Sequence, residues 1–187
     1  MPTPLPFPVE LARNQALSGP RLTAARNDHE AVATWLAKYT DNRHTLDSYR
    51  REAERLMLWA TWHGKDLPGL MVEDVLAYKA FLSDPQPVDL WCQQTEPRTL
   101  PDGSPNPLCR QVRRVTRRLP DGSANPTWRP FVSGLSASAV KQTTTILFGL
   151  FEHLAAIGYV HANPLRAAAK RTRKGQRQGQ ERYFDAG

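Results

Sequence analysis

Two stretches of the chain carry side chains whose types and spacing suit recognition of a polyanion. In "RHTLDSYRREAERLMLWATWHG" (43–64), Ser48, Arg51 and Arg55 recur at close to one helical turn. They fall on the side away from Leu46, Tyr49, Ala53, Leu56, Met57 and Ala60, and Trp62 joins them. Arg43, His44 and Thr45 stand where this helix would begin, and N–H groups at such an end can hold a phosphate. In "SASAVKQTTTILFGLFEHLAAIG" (136–158), Ser138, Gln142, Thr145 and Gly149 share the side opposite Val140, Leu147, Leu150, Phe151 and Leu154, with Lys141 on the flank and Thr143 on the apolar side. Hydroxyl, amide and cationic side chains without acids can bond both phosphates and base edges. The competing reading is a pair of solvated faces, on which Arg51 and Arg55 pair with Glu52 and Glu54 for under ~1 kcal/mol.

Bond-making chemistry has no comparable signature. His29, His44, His63, His153 and His161 show no zinc-ligand spacing with each other or with Cys92 and Cys109, so no metal and no cofactor are expected. "GKDL" at Gly64 lacks the Ser or Thr that follows the lysine of a phosphate-binding loop. Tyr183 has no base positioned near it in the sequence, and no catalytic residue is expected in 1–187.

Charge is placed rather than spread. The net charge of +7 favours an anionic partner without naming it. Five arginines and no acid lie between Leu108 and Leu119, and seven Lys or Arg against Glu181 alone lie between His161 and Arg182. The helical stretches before them are nearly balanced, as for a neutral scaffold that presents basic grips. No apolar run is long enough to cross a bilayer, and "MPTPLPFPVE" lacks the layout of a secretion signal. The two cysteines are read as isolated thiols in a reducing compartment, with a bridge between them as the alternative.

These residues require an all-α scaffold. Residues 1–20 alternate proline with other residues and predict an extended arm. A first helix is expected from about Leu22 to Tyr39, with His29, Val32, Leu36 and Tyr39 on one face and Trp35 at its edge. A second follows, with Thr45 as N-cap and Gly64 just past its end. A third carries Val72, Val75, Leu76, Lys79 and Leu82 on its face, with Glu73 and Asp74 in its first turn. A fourth runs from about Ser136 to Ile157 and stops at Gly158; a short basic helix follows from Pro164 to about Lys174. Between the third and fourth, residues 85–134 are proline-rich and contain an echo, "LPDGSPNP" (100–107) and "LPDGSANP" (119–126). They predict a long irregular or β-ribbon insertion, and "LCRQVRRVTRR" between the copies is read as a ribbon or basic loop rather than a helix. The expected organisation is an arm (1–20), a helical domain (21–160) with the insertion at about 85–134, and a basic linker (161–187).

Three motifs in order then resemble the amino-terminal core-binding domain of the tyrosine recombinases, or phage integrases. They are Thr45, Tyr49 and Trp59 in the second helix; Glu73, Asp74, Val75 and Tyr78 in the third; and Leu135, Ser136, Gly158, Tyr159, Asn163 and Pro164 around the fourth. The resemblance covers about residues 22–175, apart from the insertion. It implies a four- to five-helix SAM-like bundle that forms half of a clamp on duplex DNA, with the second and fourth helices at the major groove. It also implies that "KRTRKGQRQGQERYFDA" is the linker to a catalytic domain, gripping DNA through Lys170, Arg171, Arg173 and Lys174. That catalytic half is not in this sequence, and the chain by itself is expected not to cut or join DNA.

The expected function is therefore sequence-selective duplex binding as the targeting half of a site-specific recombinase. Its partners would be a recombination or attachment site, the catalytic domain of the same parent and further protomers on DNA, without a membrane, in a bacterial cytoplasm at the nucleoid. The alternative is a helical interaction module or accessory recombination factor with only non-specific DNA affinity.

Overall fold

The structure is a computed structural model, and it describes residues 21–93, 101, 104, 117, 119–123 and 125–168. The expected arm and most of the linker lie outside them. Among the described residues the regular structure is helical: α1 (Asp28–Leu36) with a 3₁₀ turn at Ala37–Tyr39, α2 (Arg43–Trp62), α3 (Val72–Ser83), α4 (Val88–Trp91) and α5 (Ala137–Ala156). Residues 164–168 are also helical. None of these helices is long and apolar enough to cross a membrane. The described residues fall into two compact units: those within 80–137 form one, and 21–79 with 138–168 belong to the other.

In the larger unit, α1 begins six residues later than its periodicity suggests. Asn27 is extended (φ −149°, ψ 168°) and its side chain accepts from Glu30 N at 2.9 Å. Glu30 returns the contact by accepting from Arg26 N at 2.7 Å, so a side-chain cap ends what the apolar spacing would have continued. α2 likewise starts at Asn42 rather than Thr45: Asn42 Oδ1 accepts from Thr45 N at 3.1 Å. Both residues are cap formers, and the one that leaves the first-turn donors covered is the earlier.

The ends of α2 and α5 follow the glycines. Gly64 (φ +67°) and Gly158 (φ +71°) take the left-handed conformation. Lys65 N reaches Ala60 O at 2.9 Å, and Tyr159 N reaches Leu154 O at 2.8 Å, which closes both helices by the same six-to-one bond. α3 is closed at its start by Asp74, which accepts from Met71 N at 2.8 Å and pairs with Lys65 at 2.6 Å.

The core of this unit is built by Trp35, Leu56, Trp59, Tyr78, Leu147, Leu150, Phe151, Leu154 and Tyr159, all buried. Trp35 and Tyr49 stack at 5.1 Å with planes 7° apart, and Tyr39 meets Tyr49 edge-on at 4.6 Å. Trp35, expected at the edge of α1, is thus at its centre, whereas His29 is exposed. α3 is rotated from the expected face too. Val75, Tyr78 and Leu82 are buried while Leu76 is 42% exposed, because Tyr78 packs on Trp59 with centroids 5.3 Å apart.

In the smaller unit, Phe81 meets Trp91 and Phe131 edge-on at 4.9 and 5.7 Å. An isolated parallel bridge joins Cys92 to Phe131, with Gln93 N to Phe131 O at 2.8 Å. Arg129 is buried and donates to three carbonyls, those of Asp89, Pro126 and Trp128. The second copy of the echo makes a tight turn. Leu119 N bonds Ser123 O, Asn125 N bonds Arg117 O, and Gly122 has φ +84°. Among the described residues this stretch holds a turn, one bridge and, at its start, a short helix, α4; the segment between the two copies, for which a ribbon or loop is expected, lies outside them apart from Arg117. Arg110, Arg113, Arg114 and Arg118 of the basic run lie outside the described residues, as does Cys109; Arg117 lies 5.3 Å from the ring of Trp128.

Candidate nucleic-acid interface

The two helices that carry the predicted faces are joined on their apolar sides through a buried carboxylate, which the competing reading places on a wet surface. Glu52 is 3% exposed. Its Oε2 accepts from Thr143 Oγ1 at 3.1 Å, which ties α2 to α5. Its two oxygens accept from Arg55 Nη1 at 3.1 and 3.0 Å, and Oε1 also accepts from Arg51 Nε at 2.8 Å. One carboxylate thus faces two guanidinium groups and a hydroxyl, and the cluster keeps an excess of one positive charge.

The signal for Glu52 is present in the sequence. It lies three residues after Tyr49 and four before Leu56, on the apolar side of the helix. A carboxylate there has to be paired if it is buried, and arginines stand one residue before and three after it.

Arg55 is the correction to the predicted set. It is 4% exposed and its guanidinium is spent on Glu52, so it does not stand on the exposed face with Ser48 and Arg51. The remaining residues of α2 are nearer the expectation. Ser48 and Arg51 are half-buried, and Arg51 Nη2 donates to Ser48 Oγ at 3.2 Å. Arg43 and His44 are exposed at the start of the helix. Thr45 is half-buried and its backbone N–H is committed to Asn42 rather than open to an anion. Asp47 sits 3.8 Å from Arg43 and 3.5 Å from Arg50, which lowers the local field of that first turn.

On α5, Ser138, Lys141, Gln142 and Thr145 are all exposed. Thr145 donates its hydroxyl to Lys141 O at 3.0 Å, so toward a ligand it can only accept. A Cβ built on Gly149 would meet nothing within 4 Å, and the helix surface beside Thr145 is open there. Thr143 is buried, as its place on the apolar side predicts.

The turn after α5 is pinned from both sides. Asn163 Nδ2 donates to Glu152 Oε1 at 2.7 Å and to Phe148 O at 3.2 Å, while Asn163 Oδ1 accepts from Leu165 N at 3.0 Å. Arg166 pairs with the same Glu152 and lies 5.8 Å from the Phe148 ring. The Arg166 guanidinium and the Asn163 amide hold the Glu152 carboxyl below its ordinary range. By sequence Arg166 belongs to the basic tail, and nothing in its spacing marks it as a fixed residue. Lys170, Arg171, Arg173 and Lys174 lie outside the described residues.

Among the described residues no group of three or more His, Cys, Asp or Glu side chains is placed to hold a metal ion. α2 and α5 each expose hydroxyl, amide or cationic groups, and the buried Thr143–Glu52 bond joins the two helices. These groups can hydrogen-bond and attract an anion, and they contain no paired nucleophile and base. The chain matches no protein-family model, no curated protein and no solved structure.

Proposed function

We propose that α2 and α5 bind duplex DNA, as the targeting half of a site-specific tyrosine recombinase whose catalytic domain lies outside this chain. The observation that carries this reading is the Thr143–Glu52 bond, because it couples two helices that each bear exposed hydrogen-bonding or cationic side chains beside it. Gln142 precedes Thr143 by one residue and Arg51 precedes Glu52 by one, so each branches about 100° around its helix from the joining bond. The motif order that resembles the core-binding domain supports the same reading, as does a net charge of +7. On this reading the helices of the larger unit form a SAM-like bundle. Phosphate contacts from Lys141, Arg43 and the tail supply affinity, and Arg51 with Gln142 supplies base preference.

The test is selection from a pool of random-sequence duplexes at two salt concentrations, followed by footprinting on the enriched sequence. An enriched site bound more tightly than random duplex supports the reading. Binding that is equal on all duplexes favours an accessory module with non-specific affinity, and no binding at low salt removes the reading.

A further inference from the structure

We infer that Glu52 and Ser48 hold Arg51 as a preformed reader of a planar two-acceptor edge, the guanine edge of a G·C pair in the major groove. This rests on the duplex-binding reading above and assigns one residue a specificity role and two others a positioning role.

An arginine carries five N–H donors arranged as a fork with two usable edges, one along Nε and Nη2 and one end-on across Nη1 and Nη2. In Arg51 the first edge is occupied: Nε donates to Glu52 Oε1 at 2.8 Å and Nη2 to Ser48 Oγ at 3.2 Å. Nη1 takes part in neither bond, Nη2 carries a second N–H beside the one given to Ser48, and the side chain keeps 38% of its surface open to solvent. An unrestrained exposed arginine loses rotamer freedom when it binds; one already tied along an edge has lost much of it.

The restraint is itself rigid. Glu52 cannot swing toward solvent with Arg51, because its oxygens are also held by Arg55 and Thr143 in the buried cluster. The arrangement divides the labour between two arginines. Arg55 compensates the buried carboxylate, so Arg51 keeps a net positive charge to offer outward. A freely moving cation would serve a phosphate equally well. A fork fixed along one edge favours a ligand that presents two acceptors together; in duplex DNA both a phosphate's oxygens and guanine O6 with N7 do so, and of the two only the guanine edge carries base preference.

The experiment uses the whole chain and the duplex enriched from the random pool, compared with random-sequence duplex, across salt. Replacing Arg51→Lys retains charge and removes the fork. The expected result is a loss of about tenfold in preference at one G·C position, with the salt slope nearly retained. Replacing Glu52→Gln releases the restraint, and preference at that same position falls while the other positions keep theirs. Ser48→Ala, which leaves the buried cluster whole, lowers the same preference by about threefold. If Glu52→Gln does not fold, Ser48→Ala and Arg51→Lys decide the matter. An enriched site whose preferences survive all three substitutions overturns this inference and leaves duplex binding standing. A pool with no enriched site and no binding removes the duplex reading itself. Equal loss on enriched and random duplex in Arg51→Lys makes Arg51 a phosphate contact and also overturns the inference.

Discussion

Tyr159 donates its hydroxyl to Asp28 Oδ1 at 2.7 Å, and the other oxygen of the same carboxylate accepts from Leu67 N at 2.9 Å. One buried side chain at the start of α1 therefore clasps the loop before α3 and the turn after α5. Burial raises the Asp28 pKa above the ordinary carboxylate range, and the bonds from Leu67 and Tyr159 offset this only in part. Tyr159→Phe should cost on the order of 1.5–3 kcal/mol, because it leaves half of a buried carboxylate without its donor. Urea unfolding measures it, and a loss under about 0.5 kcal/mol would show that the clasp carries little.

The same carboxylate sets a direction with pH. A folded-state pKa above the unfolded value of about 3.9 means that folding favours the protonated form. The contribution is fully present below the unfolded pKa and is lost as pH rises through the folded one. Asp74 works in the opposite sense. Burial opposes its ionisation, but Lys65 and the Met71 N–H outweigh burial and lower its pKa, so its contribution is lost as pH falls through the folded value. The stability of the native chain minus that of Asp28→Asn should therefore move in favour of the native chain as pH falls from about 7 toward about 4. A difference that stays flat across that range would refute the assignment.

Glu52→Ala removes the carboxylate that Arg55 pairs with in the core and should cost about 3–5 kcal/mol. Replacing the pair together, Glu52→Leu with Arg55→Met, should be near neutral by comparison, since both the charge and its desolvation are removed. Thermal melting of the two variants separates these outcomes. A double variant as unstable as the single one would mean that the bonds to Thr143 and Arg51 dominate the cluster.

Two glycines are expected to fail differently. Gly64 has φ +67° and open space around a would-be Cβ, so alanine there costs about 1–2 kcal/mol through backbone conformation alone, and asparagine less. At Gly134 a Cβ would stand 2.0 Å from Ser83 O and 2.9 Å from Ser83 C, both backbone atoms. Gly134→Ala should cost about 1–3 kcal/mol by overpacking, and asparagine at the same site more. The ranking of Ala against Asn at the two sites, read from denaturant midpoints, checks both arguments.

On DNA, Gln142→Ala should relax preference at one base position by about 1–3 kcal/mol and barely change binding to random duplex. Equal losses on both substrates would move Gln142 from base reading to backbone contact.

Neutralising Lys170, Arg171, Arg173 and Lys174 should weaken binding to every sequence alike and reduce the salt slope by about 0.9 for each phosphate that no longer meets a cation. Titrations at several salt concentrations give the slope directly, and an unchanged slope takes these residues out of the grip.

Sequence alone determined the helical class, the ends of α2 and α5, and the exposed side of α5. These depend on local physics: glycine supplies the left-handed residue at each end, and a long apolar stripe fixes which side of a helix faces inward. It misjudged the starts of α1 and α2, where several cap formers compete and the choice turns on which backbone donors are covered. Tertiary structure decided the rest. Arg55 reads as a surface arginine by spacing, yet it is buried because Glu52 is, and Glu52 is buried because Thr143 from a helix ninety-one residues away gives it a donor. Whether a charged side chain faces water or a partner depends on what packs over it, and that partner is far along the chain.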